Sequence, residues 1–416
     1  MNGLIATIWL TLTYPLRVFI IAFTRPWPVW LGGLLLGMLS VATFAWARPW
    51  GIVAGPREWA DWLLYLSGVY SSSPELNPLL SSSSVLTLGL IAGAFASALL
   101  SRQFEIKVPP PFELLRSAVG GVLMGAGAAL AAGCNVGGFF SATSALSGGG
   151  LAMMAGLIAG VFLEVRYYYW ELEHLRFKRG ERRPRRAKPD RGPRLAAAMG
   201  RLDFKRAQPF LGAAALLGLV VMSAVYMLLG VDAVTGYSYL LTGGLLLAAV
   251  AFGIVLHRSR FAFLQAFREP FISGRAGQVR GMTIAVIVSV LGFAAIKAGG
   301  LRPEPEYVAS TFWAGSLVGG MIFGFGMPFA GGCGSGCCWR TAEGSLKVAV
   351  ALFFLAASNS LFQAAINASG TVRSAMGIPL FLPDYISYKW SVGVIVALMG
   401  LYAAVMTWNE KTGRLL

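Results

Sequence analysis

Residues 119–138 read VGGVLMGAGAALAAGCNVGG, and residues 318–337 read VGGMIFGFGMPFAGGCGSGC. The stretches align without a gap at an offset of 199, and nine of the twenty pairs are identical. Among the identities are Ala131 with Ala330, Gly133 with Gly332 and Cys134 with Cys333. Each copy is an apolar, glycine-rich segment that runs straight into Gly-Cys. A duplication of this kind in an apolar chain marks a carrier or channel built from two related halves. It also nominates a site, because each half delivers one thiol to the same structural place.

The rest of the chain agrees with a membrane setting. Hydrophobic residues make up 56% and charged residues 12%, with a mean hydropathy of +0.67. A soluble domain has no use for that much apolar surface. Thirty-four Lys and Arg against eighteen Asp and Glu give a net charge of +16. No nucleic-acid partner follows from it, because the basic residues sit in loops between apolar segments, as the positive-inside bias places them. The four cysteines make no disulfide framework. No cleavable leader is expected, since Pro15 and Arg17 interrupt the first apolar run.

A spanning helix takes about 20 apolar residues. Ten segments qualify: 27–47, 84–101, 112–132, 149–170, 209–230, 239–257, 282–299, 311–330, 345–368 and 389–407. Residues 1–23 add an eleventh span or lie in the interface, and 56–70, short and Trp-rich, reads as interfacial. The expected fold is an all-α polytopic membrane protein. The loop 174–206 carries thirteen Lys or Arg and three acids, which makes it cytoplasmic, and the C-terminus with it. Counting helices from that loop sends 112–132 outward and 311–330 inward. The two halves are therefore expected to be inverted repeats. The expected division is an N-terminal apolar segment 1–26, a first half 27–173 and a basic cytoplasmic loop 174–207. A linking span 208–238 then precedes the second half 239–370 and a final loop, span and tail 371–416.

After each Gly-Cys the chain stops reading as plain helix. Cys134-Asn135-Val136-Gly137-Gly138 and Cys333-Gly334-Ser335-Gly336-Cys337 crowd small residues together before the next span. Irregular backbone at membrane depth survives only when buried in protein or lining a cavity. Broken, re-entrant half-helices meeting at mid-membrane are the expected result, and their N-termini would aim free N–H groups at an anion. A thiol is a soft contact suited to sulfur or selenium, and Asn135 and Ser335 add ordinary polar contacts. The candidate substrate-binding residues are Gly133, Cys134, Asn135, Gly332, Cys333, Ser335, Cys337 and Arg340. The competing reading is structural: glycine stripes let helices pack closely, and free cysteine is a common small buried hydrophobe. Cys338, aligned with Phe139, is expected to face lipid or packing. Cys333, Cys337 and Cys338 lack a second ligand cluster, so no metal is expected, and no cofactor either. Arg340 holds substrate oxygens or sits at the cytoplasmic mouth. Glu164 and Gln363 match at the same offset of 199, Arg166 is a ready partner for Glu164, and Asn359 reads as interhelical glue.

At GCNVGGFFSATSALSGGGLAMMAGLIAG, from Gly133, and FAGGCGSGCCWRTAEGSLKV, from Phe329, the chain resembles the YeeE/YedE family of sulfur-transport membrane proteins. The likeness spans about residues 27–370. It implies an hourglass-shaped inverted-repeat fold in the bacterial inner membrane. It also implies import of thiosulfate or a related sulfur anion between cysteine thiols, often with a small cytosolic sulfur-carrier protein as partner. Cys134 and Cys333 match the two mid-membrane cysteines. One departure stands out: where the family commonly has cysteine after Arg-Ser-x-Phe, this chain reads Arg258-Ser259-Arg260-Phe261-Ala262. The alternative to transport is covalent sulfur or selenium transfer through persulfides.

Overall fold

The computed structural model describes residue 23 and residues 25–74, 77–176, 204–231 and 237–413. The apolar segment at 1–22 and most of the basic loop lie outside the described residues. The first half comprises α1 (Val29–Trp46), α2 (Ala54–Leu66), α3 (Ser82–Leu100) and α4 (Pro111–Leu130). It continues with α5, a π-helical stretch Asn135–Ser141 extended by Ala142–Ser144, and with α6 (Gly148–Glu171). After α7 (Phe204–Leu229) the second half repeats the order: α8 (Tyr239–Ser259), α9 (Phe263–Ile272), α10 (Gly277–Ala298), α11 (Ala314–Ala330), α12 (Gly334–Ala342) and α13 (Leu346–Ala368). The short α14 (Gly370–Ala375) and the long α15 (Tyr388–Thr412) close the chain. The protein is all-helical, and ten helical stretches among the described residues are long and apolar enough to cross a membrane.

The packing exchanges under the pairing of halves. Helix α4 lies on α13 and α6 on α11; α3 lies on α8 and α1 on α10. The two copies of the repeat, α4 and α11, also pack on each other, and they run antiparallel. A Cβ on Gly120 would stand 2.3 Å from the amide nitrogen of Ala330, and one on Gly127 would stand 2.6 Å from the carbonyl of Gly319. Glycine is required there because the backbones touch. An antiparallel pair of equivalent helices is the arrangement that inverted halves need.

Each copy then leaves its helix through a left-handed residue at the equivalent position, Ala132 (φ 54°) and Gly331 (φ 84°). That turn folds the chain back into the protein before the re-entrant helix begins. The re-entrant segments return to opposite ends of the molecule. Ser147, after α5, accepts hydrogen bonds from the amides of Gly149 and Ala309, and Gly148 donates to Leu380. Glu343 and Gly344, after α12, accept from the amides of Glu105 and Lys107.

The 56–70 segment forms a helix that rests on the protein along one side and leaves Leu63 and Leu66 exposed on the other. Helix α2 packs against α3 and α13, with Gly55 and Pro56 of its first turn buried. Trp50 and Ile52, just before it, are 1% and 2% exposed. The chain can enter the interior here because the small residues Ala54 and Gly55 let the helix start sit close to α3, where a Cβ on Gly55 would meet Thr87.

A cysteine-led pair of re-entrant helices

Both central cysteines sit at the start of a re-entrant helix with nearly the same backbone: Cys134 at φ −82°, ψ −177°, and Cys333 at φ −83°, ψ −179°. Both are fully buried. Each carbonyl accepts from the amide four residues on, Gly138 at 2.6 Å and Cys337 at 2.7 Å. Gly133 and Gly332 are needed for the fold-back: a Cβ on Gly133 would stand 2.6 Å from the Gly138 nitrogen, and one on Gly332 3.2 Å from the Cys337 nitrogen.

The two loops meet. The Gly334 amide donates to the Asn135 side-chain oxygen at 3.3 Å, and a Cβ on Gly334 would lie 3.4 Å from the Cys134 sulfur. The side-chain nitrogen of Asn135 is buried there without a partner. The environments of the two thiols differ. The amides of Gly137 and Val136 on its own segment face the Cys134 sulfur, as do those of Ile52 and Val53 at the start of α2. The Cys333 sulfur accepts from the Gly336 amide at 3.4 Å and lies 3.5 Å from the buried Ser335 hydroxyl. Backbone N–H groups at two helix starts thus converge on Cys134.

Other residues take positions that the sequence left open. Of the two readings of Cys338, lipid or packing, the structure has packing: it is fully buried, as is Cys337. The reason is helical phase, since α12 is covered by α3, α8 and α13, leaving its Cys338 face no route to the bilayer. Arg340, late in α12, reaches back to donate to the Gly331 carbonyl at 2.6 Å, two residues before Cys333. Glu164 pairs not with Arg166 but with Arg268 on α9, in a two-pronged contact of 3.1 Å on each oxygen. Arg166 points along its own helix, its guanidinium 5.4 Å from the Phe162 ring. Asn359 does join helices, donating to the Gly125 carbonyl at 3.0 Å. Among the described residues no three Cys, His, Asp or Glu side chains converge to hold a metal ion.

Sequence reasoning gave no structural role to two buried basic residues that secure the re-entrant segments' ends. Lys297, 2% exposed, donates to the Ala145 carbonyl at 2.9 Å, closing the C-terminus of α5. His257 bridges the Ser97 hydroxyl, at 2.8 Å, and the Glu343 carboxylate, at 3.1 Å, just past α12. Burial by itself would raise the Glu343 carboxyl, but His257 and Arg260 hold it below the ordinary value of 4.5. Ionisable residues inside apolar spans are costly, and that rarity was the available signal for both.

The architecture is that of a multi-pass membrane transporter whose two halves each send a cysteine-led half-helix to a shared centre. The sequence matches the sulphur transport family over residues 12–163 and 258–415, and the chain belongs to that family. It is similar to the "Probable transporter YedE" of Escherichia coli strain K12, 26% identical over 345 residues, covering 79% of this chain and 78% of that protein. It is also similar to the "Thiosulfate transporter TsuA" of the same strain, 37% identical over 119 residues, which cover 28% of this chain and 32% of that one. The Spirochaeta thermophila protein of the same name is 33% identical over 102 residues, 24% of this chain and 29% of that one.

Proposed function

We propose that the protein imports a small sulfur-containing anion of the thiosulfate class, with Cys134 and Cys333 as its central contacts. The observation that carries this reading is the meeting of two cysteine-led helix starts at Asn135 and Gly334. Backbone N–H groups and the free Asn135 amide suit oxyanion oxygens, and the thiols suit a soft sulfur terminus. Gly133 and Gly332 shape the two loops, and Ser335 and Cys337 line the Cys333 side. Arg340, reaching back to the Gly331 carbonyl, adds positive charge behind the Cys333 loop. The similarity to proteins named for thiosulfate transport supports the same substrate class. The basic end of the molecule faces the cytoplasm on this reading, where a small sulfur-carrier protein receives the product.

Uptake of radiolabelled thiosulfate into proteoliposomes tests the proposal. Cys134→Ala or Cys333→Ala should abolish uptake while the protein still folds. Cys→Ser at either position keeps a donor, so it should retain some entry but lose preference for thiosulfate over sulfate. Wild-type uptake in both alanine variants would remove the thiols from the path. The form of the delivered solute separates transport from covalent transfer: intact anion inside supports a carrier, and sulfane sulfur left on a cysteine supports a persulfide route.

A further inference from the structure

A second group of polar side chains lies along α12 just beyond Cys337 and Cys338. Trp339 is 2% exposed, and its indole N–H is buried without a partner. The guanidinium of Arg260 stands 5.2 Å from its rings and that of Arg340 5.3 Å. His257 meets the same side chain edge-on at 6.3 Å. The indole nitrogen only donates, so a buried, unpartnered one on a ring that two guanidinium groups approach asks for an acceptor that carries negative charge.

We propose that this cluster is a second anion station at the basic end of the path, and that it takes up a proton with the anion through His257. The proposal rests on the reading of the protein as a carrier of the thiosulfate class. The charged groups facing His257 are Glu343 beyond α12, Arg260 on the turn after α8, and Arg258 on its own helix; α3 contributes the neutral Ser97. Both ring nitrogens already have partners suited to the doubly protonated form, with Nδ1–H donating to Ser97 and Nε2–H to Glu343. In the empty station Glu343 is shared between His257 and Arg260, so a proton added at His257 brings further positive charge beside Arg260 and Arg258. A doubly charged anion offsets that charge. Linkage is reciprocal, so the anion favours the proton and the proton favours the anion to the same extent. The net charge carried inward with each anion is thereby reduced.

Calorimetry of thiosulfate binding to the full chain in lipid nanodiscs, run in two buffers of different ionisation heat, counts the protons taken up. The wild type should take up protons near neutral pH. His257→Gln should still bind thiosulfate and lose that uptake, and Trp339→Phe should weaken binding about tenfold. Should the glutamine variant not fold, Ser97→Ala, which deprives Nδ1–H of its acceptor, should lower the proton count. Thiosulfate binding without proton uptake in the wild type, or an unchanged count in whichever variant folds, overturns the proton linkage and leaves the carrier reading standing. Unchanged affinity in Trp339→Phe overturns the station. No thiosulfate binding to the wild type overturns both readings.

Discussion

The Gly334 amide donates to the Asn135 side-chain oxygen across 3.3 Å, although the two residues are 199 positions apart. They are the same position in the two copies of the repeat. Equivalent positions touch only near an axis that relates the copies, so this bond marks where the halves meet. The first copy has a side-chain amide at that position and the second has bare backbone. The centre is therefore asymmetric in its donors even though its fold is duplicated.

Asn135→Asp should fold and lose transport. The carboxylate still accepts from the Gly334 amide, but it replaces the free donor with a negative charge in a low-dielectric site, where it repels an arriving anion. Thermal unfolding and thiosulfate uptake, measured together, check this. Uptake at the wild-type rate would show that Asn135 does not face the anion.

Gly120→Ala should destabilise the protein by about 1–3 kcal/mol, because the added methyl collides with backbone that cannot step aside. Gly218→Ala on α7 is the control, with nothing within 4 Å of the new Cβ, and should be neutral or slightly stabilising. Thermal unfolding in detergent compares the two. Equal melting temperatures would mean that α4 and α11 are not in backbone contact.

Arg268→Met should cost about 3–5 kcal/mol, since it leaves Glu164, 1% exposed at its side chain, without its partner. The double variant Glu164→Gln, Arg268→Met should recover much of that loss. A double-mutant cycle on unfolding stability measures the coupling, and additive losses would rule the pair out as a unit.

Glu343 sets an acid limit. Its carboxyl is held below the ordinary value of 4.5 in the folded protein. A group depressed in this way stabilises the fold above its unfolded value and loses that contribution as pH falls through the folded one. Melting temperature should therefore drop as pH falls below about 4.5, and Glu343→Gln should flatten that part of the curve while lowering stability near neutrality. Parallel curves for the two proteins would contradict the pairing with His257 and Arg260.

Much of this molecule was legible in the sequence, because the relevant information is local. An apolar run of about 20 residues declares a span wherever it occurs. Crowded glycines after Cys134 and Cys333 declare a break in the helix on either side of the same thiol. What the tertiary structure decided was partnership. Glu164 has Arg166 two positions away, yet residues two apart on a helix point in different directions, and α9 brings Arg268 into reach instead. Cys338 reads as facing either lipid or packing, and α3, α8 and α13, by closing over it, decide for packing. His257 and Glu343 are 86 positions apart, and the order of residues says nothing of their contact. Hydropathy and helical period depend on chain neighbours, whereas a hydrogen bond between distant residues exists only once packing has brought their helices together.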